Sequence, residues 1–237
     1  MDFPTSLGLF STKGIEYLLV IAYLLLLPPF WILLTRGIRR ATKSRVAAVA
    51  RQQARWFPIP KDVFVHPGHT WVRPGSNDTV ELGWDAFAAK LVGNVDAFNL
   101  PRPGQTIHAG EPLCEFTVAD QAFEILSPVT GTVVETNSEV TNNPVTANDD
   151  PYQTGHFARV RVANRKASLN NLINAEEANH WMDGLAQQVL TAITGSTAPV
   201  LQDGGEPIAG FAKEIGGENW QNLIRSHLKS GEAEQKG

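Results

Sequence analysis

The sequence predicts a mainly β domain with a transmembrane helix ahead of it and further helices after it. Three observations lead there. Residues 17–34 form an uncharged apolar run, YLLVIAYLLLLPPFWILL. Between Val63 and Val162, short β-branched and aromatic stretches alternate with Gly, Pro and Asn, the punctuation of strands and tight turns. Beyond Asn174 the apolar residues take helical spacing.

The apolar run comes first. At about 1.5 Å rise per residue, its length nearly matches a hydrocarbon core of roughly 30 Å, so the first segment, 1–35, is expected to carry a membrane-spanning helix over 17–34. Pro28 and Pro29 kink such a helix or leave carbonyls unpaired, a defect best repaired by a neighbouring helix, and this makes the pair a candidate partner contact in the bilayer. A secretory signal peptide is disfavoured, because the flank before the run is nearly neutral and no small-residue cleavage site follows it. Arg36, Arg39, Arg40, Lys43, Arg45, Arg51 and Arg55 follow with no acid between Phe30 and Lys61. That bias predicts an N-terminus outside, the main domain in the cytoplasm and a single pass through the cell's inner membrane. The basic neck, 36–60, has two readings: an amphipathic segment on anionic lipid, or a solvated helix leaving the membrane. Pro58 and Pro60 close it.

The net charge of −4 is unevenly spread. Residues 1–60 hold eight Lys and Arg against two acids, leaving twelve against twenty-two in the remainder. An acidic body argues against a nucleic-acid partner. Cys114 is the single cysteine, so no disulfide or cysteine-rich zinc site can form within the chain, and its strand context reads as a small buried hydrophobe. His66 and His69 are close in sequence but span a turn with no neighbouring acid, so no metal site is expected. No phosphate loop, Ser-His-Asp order or zinc helix motif occurs, and the chain is not expected to be an enzyme.

The domain over 61–183 reads as strands at Val63–Val65, Thr70–Arg73, Thr79–Leu82, Leu113–Val118, Ala122–Leu126, Gly131–Asn137 and His156–Val162, with a short helix around Trp84–Val92. Ala119-Asp120-Gln121 is left between two of these strands as the tip of a tight hairpin.

From Phe64 to Met182, about half the chain, the ordered motifs resemble the H protein of the glycine cleavage system. His66-Pro67-Gly68-His69-Thr70-Trp71-Val72-Arg73 is similar to that family's entry, which ends in Glu-Trp-Val. Val80-Glu81-Leu82-Gly83 with the following Trp84–Gly93 resembles its strand and short helix, and Leu100–Gly110 its Leu-Pro stretch with two glycines. Ser127-Pro128-Val129-Thr130-Gly131-Thr132-Val133 resembles the family's Ser-Pro-Leu-Ser-Gly-Glu-Val turn. Asn142-Asn143-Pro144 and Asp150-Pro151-Tyr152 through Phe157 resemble its later loop and last strand. The resemblance implies a lipoyl/H-protein-type barrel-sandwich hybrid of two antiparallel sheets. It also implies a hairpin lysine carrying lipoate, and spacing from Gly110 or Pro128 puts that position at Asp120. No lysine occurs between Lys90 and Lys166. A carboxylate cannot form the lipoyl amide, and biotinylation fails for the same reason, so no cofactor is expected. Asp120 reads either as a good turn residue or as a docking group for a basic partner.

After the barrel, Asn174 with Glu177 starts a capping box, and Leu172, Ala175, Ala178, Trp181, Met182, Leu185, Val189 and Ile193 keep helical spacing. The chain continues as a helical extension, 184–230. Asp203-Gly204-Gly205-Glu206-Pro207 marks a turn, and a second helix is expected over Glu218–Leu228 with Trp220, Leu223, Ile224 and His227 on one face. Such a face packs on its own domain or docks another protein. Residues 231–237 read as a charged, disordered tail. Together these features predict a non-lipoylated, membrane-anchored scaffold or assembly subunit whose partners are the lipid bilayer and other proteins of a larger complex. A respiratory or redox assembly is suggested by analogy alone. The alternative is a glycine-cleavage-type carrier or enzyme-docking protein.

Overall fold

The computed structural model describes residues 17, 19–30, 56–194 and 206–228. They belong to two units, 1–49 and 50–237. In the first, residues 19–30 are helical (α1) and include Pro28 and Pro29. Tyr23, Leu24, Leu25 and Leu26 on this helix are exposed. Among the described residues no helix is long and apolar enough to cross a membrane. Residues 31–34 of the apolar run, the basic stretch 36–55 and the tail 231–237 lie outside the described residues.

The second unit holds two antiparallel sheets. One contains β1 (Phe64–Val65), β2 (Thr70–Pro74), β3 (Thr79–Trp84), β5 (Thr106–Ile107), β8 (Gly131–Thr136) and β9 (Ala158–Val162), in the order β1-β2-β3-β9-β8-β5. The other contains β4 (Ala97–Asn99), β6 (Pro112–Val118) and β7 (Gln121–Leu126), in the order β4-β6-β7. Period-two alternation sends Val80, Leu82 and Trp84 from β3, and Val160 and Val162 from β9, into the core. Trp84 is its centre: Phe98, Phe116 and Phe157 place their rings 5.3, 5.6 and 5.7 Å from it. Its indole N–H donates to the Ala147 carbonyl at 2.7 Å, so this large buried side chain keeps its hydrogen bond. Gly83 pairs with Trp71 across the strands, and a Cβ there would lie 2.7 Å from the Trp71 ring. The indole occupies the space that a side chain at 83 would need.

Strand boundaries differ from the sequence expectation where side chains cap the backbone. β3 runs on through Trp84, and the following helix α2 (Ala86–Val92) starts two residues later than expected because the Asp85 carboxylate accepts from Ala88 N at 2.9 Å and fixes its N-terminus. Asn137 does not extend β8, because it caps α3 (Ser138–Asn142) by accepting from Glu139 N. His156 also precedes its strand rather than opening it. The short elements β4, β5, α3, α4 (Val145–Asp149) and α5 (Arg165–Leu169) carry too few residues to show a period.

The long helix α6 (Ala175–Thr194) begins as expected, with the Asn174 side chain accepting from Glu176 N and Glu177 N. Ala178, Met182, Leu185, Val189 and Ile193 are buried. The extension then supplies an additional helix, α7 (Phe211–Gly216), and after a 3-10 turn at Gly217–Asn219 the expected α8 (Trp220–Leu228). Both pack on α2. Gly93, which ends α2 with φ +73°, lies against Gly210 so closely that a Cβ on Gly93 would be 2.4 Å from Gly210 N. Gly210 N also donates to Lys90 O at 2.8 Å, and Lys90 Nζ meets Glu206 at 3.0 Å. Phe211 completes a ring cluster with Phe57 and Phe87.

Candidate functional site: the hairpin tip and its helical brace

β6 and β7 pair in register up to Val118↔Gln121, which leaves a loop of two residues, Ala119 and Asp120. Gln121, expected in the turn, is instead the first residue of β7. Both loop residues have positive φ, 49° and 60°, the mirror-type turn whose twist suits a two-residue hairpin. Aspartate tolerates that conformation; alanine does so at the expense of about 1 kcal/mol. A brace from outside the hairpin offsets it: Ala119 N donates to the Asp96 carboxylate at 2.7 Å, while Asp96 N donates to Thr117 O at 2.8 Å. The tip is therefore held at a fixed angle with Ala119 and Asp120 exposed.

Along the hairpin, Glu115 and Glu124 stand directly opposite each other. No Lys or Arg occurs between Arg102 and Arg159, a stretch that contains Glu111, Glu115, Asp120 and Glu124. On the buried face, Phe116 and Phe123 stack with centroids 5.5 Å apart. α8 covers that stack. Trp220 approaches Phe123 at 5.6 Å, the Arg225 guanidinium lies 5.3 Å from the Phe123 ring, and Lys213 lies 5.0 Å from the Trp220 ring. Of the residues expected to meet a partner, Ile224 is fully buried in its own domain and so serves as a core residue. Trp220 and Leu223 are half-buried. Pro28 and Pro29 are exposed on α1.

Beneath α8 lies a cluster that the sequence reading missed. His69 Nδ1 is 2.8 Å from Asp85 Oδ2, both groups are within 1% of full burial, and the His69 backbone has φ +62°. The acid judged missing near the two histidines is thus present, brought by the β2–β3 pairing. The His69 ring stacks between Phe87 at 4.4 Å and Trp181 at 4.8 Å, with His227 of α8 at 6.1 Å. Burial, and then the nearby His69, lower the His227 pKa to about 4. His66 is lowered for the same two reasons and accepts from Gly68 N at 3.0 Å. Among the described residues no group of three or more His, Cys, Asp or Glu is arranged to hold a metal. Burial pushes the Cys114 thiol up, which keeps it protonated and non-nucleophilic. The sequence reading did not single out Asp85, which lies sixteen residues from its histidine partner.

Two packed antiparallel sheets with a braced two-residue hairpin match the arrangement that the resemblance implied. The family profile described as "Glycine cleavage H-protein" matches residues 64–184. The chain belongs to the glycine cleavage H-protein family. Similar relatives include the glycine cleavage system H protein of Coprothermobacter proteolyticus, 37% identical over 114 residues, which cover 48% of this chain and 89% of that protein. The glycine cleavage system H protein of Mycobacterium avium is 33% identical over 121 residues, 50% of this chain and 92% of its own length. A crystal structure of the H protein from Mycobacterium marinum aligns with 53% of this chain and 99% of its own, at 26% identity and a TM-score of 0.46. The H-protein match ends within α6, so α7 and α8 lie beyond the family segment and pack back onto it.

Proposed function

We propose that this chain is a non-catalytic, H-protein-like scaffold or assembly subunit, unlipoylated and held at a membrane by residues 17–34. The observation that carries the reading is the acid at the hairpin tip: Asp120 is exposed where the resemblance places the lipoyl lysine, and no lysine occurs between Lys90 and Lys166. Amide formation with lipoate requires a primary amine. The fold keeps the tip rigid and exposed, which suits docking as well as it suits a carrier arm. The acidic stretch around it fits a partner with a basic face, and the uncharged run ahead of the basic neck fits an anchor with the main domain in the cytoplasm.

The test is isolation of the full chain from its own membranes in mild detergent, followed by intact mass. The expected mass is that of the unmodified polypeptide, accompanied by a companion protein at fixed stoichiometry. A lipoyl adduct, or a chain that runs alone, overturns the reading. Family membership favours a second reading, an enzyme-docking protein of glycine cleavage, which predicts co-isolation with the enzymes of that system rather than with membrane subunits.

A further inference from the structure

The two helices beyond the family segment are docked unevenly. In α7, Phe211 and Ala212 are buried, and the Gly210 backbone meets that of Gly93 with no room for a side chain at 93. Of the nine residues of α8 only Ile224 and Leu228 are buried; Trp220, Leu223 and His227 are half-buried, and Asn222, Arg225 and Ser226 are exposed. Gly216 and Gly217 lie between the two helices, and Gly217 has φ +51°, a conformation in which glycine turns the chain freely. The ground beneath α8 runs from the hairpin to α2. At one end is Phe123 on β7, an outer strand of its sheet, with Trp220 5.6 Å and the Arg225 guanidinium 5.3 Å from its ring. At the other is Phe87, 5.2 Å from His227. This surface suits an amphipathic helix with an aromatic residue at one end, apolar residues three, four and eight positions on and a cation five positions on, the pattern of Trp220, Leu223, Ile224, Leu228 and Arg225.

We propose that α8 is an autoinhibitory helix: within its own chain it occupies a docking site for a helix of the same pattern on a partner protein, and it yields that site by swinging about Gly216 and Gly217 while α7 stays anchored. The partner rests on the scaffold reading above; the release of α8 does not. A helix laid over an outer strand also shields that strand from stray pairing, and a cover with that role alone opens only when the barrel does. With an affinity of about 50 µM as a free helix and an effective concentration of about 1 mM when tethered, α8 fills the site about twentyfold more often than it leaves it empty.

Hydrogen exchange of the full chain in mild detergent measures the release. The α8 amides should be slowed only about twentyfold relative to the free peptide 217–228, and those of β3 and β9 at least about a thousandfold. The same peptide, fluorescein-labelled, measures the site. It should bind the Ile224→Asp chain, in which α8 cannot seat, with a Kd of about 50 µM, and the wild type about twentyfold more weakly. A peptide that itself carries Ile224→Asp should bind neither. Exchange in α8 as slow as in β9 overturns the proposal, and so does a folded Ile224→Asp chain that fails to bind the peptide. Global unfolding of that variant overturns it too, because α8 would then belong to the core. A lipoyl adduct, or a chain that runs alone, removes the scaffold reading and the partner with it, whereas slow α8 exchange removes the latch alone, so the two failures are read separately.

Discussion

Acidification should loosen α8 before it unfolds the barrel. His227 has its pKa lowered from 6.5 to about 4 in the folded chain, by burial and by His69. The unfolded chain takes up the proton near pH 6.5, whereas the folded chain resists it, so the neutral ring's contribution is complete above pH 6.5 and is lost as pH falls toward 4. At pH 4.5 the two-unit gap from 6.5 corresponds to about 2.7 kcal/mol, which solvent screening at this half-buried position reduces to about 2 kcal/mol. His66 is lowered in the same direction, so the trend has a second contributor. Urea unfolding of the wild type and His227→Gln at pH 7.5 and 4.5, followed by Trp fluorescence, checks this, because carboxylate titration is common to both and cancels in the difference. The wild type should lose about 2 kcal/mol more than the variant between the two pH values. Equal losses would refute the assignment of His227 as a buried neutral group.

Other substitutions test the packing around the hairpin. Gly93→Ala puts a Cβ 2.4 Å from Gly210 N at φ +73°, and should cost about 2–4 kcal/mol by calorimetry. Trp220→Ala removes the ring over Phe123 and should cost about 1–2 kcal/mol, with faster amide exchange confined to α8 and β7. Glu115→Lys places a cation opposite Glu124 across the strands, and should raise the unfolding free energy slightly, by about 0.2–1 kcal/mol at low salt and less at high salt, by urea titration. Asp120→Asn leaves the exposed tip's backbone preference intact, and stability should stay within about 0.5 kcal/mol by urea titration.

The hairpin was readable because its signals are local. Alternating apolar residues in Leu113–Val118 and Ala122–Leu126 fix which face is buried, and Asp at the tip suits positive φ, so only the one-residue boundary at Gln121 escaped. The start of α6 was readable for the same reason, since the Asn174 side chain accepts from the backbone two and three residues on. The His69–Asp85 pair was not: nothing near His69 in sequence announces a carboxylate, and the pairing of Thr70 with Trp84 brings it into reach. The apolar face of α8 was visible, but its choice between docking inward and outward was not.

By itself the sequence determined which residues alternate, cap and turn, that the hairpin tip carries an acid, and that no lysine stands nearby. These are properties of neighbours along the chain, set by backbone sterics and side-chain chemistry. Only the tertiary structure decided that Gly93 meets Gly210, that α8 lies over Phe123, and that His69 meets a buried carboxylate with His227 of α8 close by. Those contacts join segments far apart in sequence, and their existence depends on shape and on the apolar area removed from water, which no local pattern encodes.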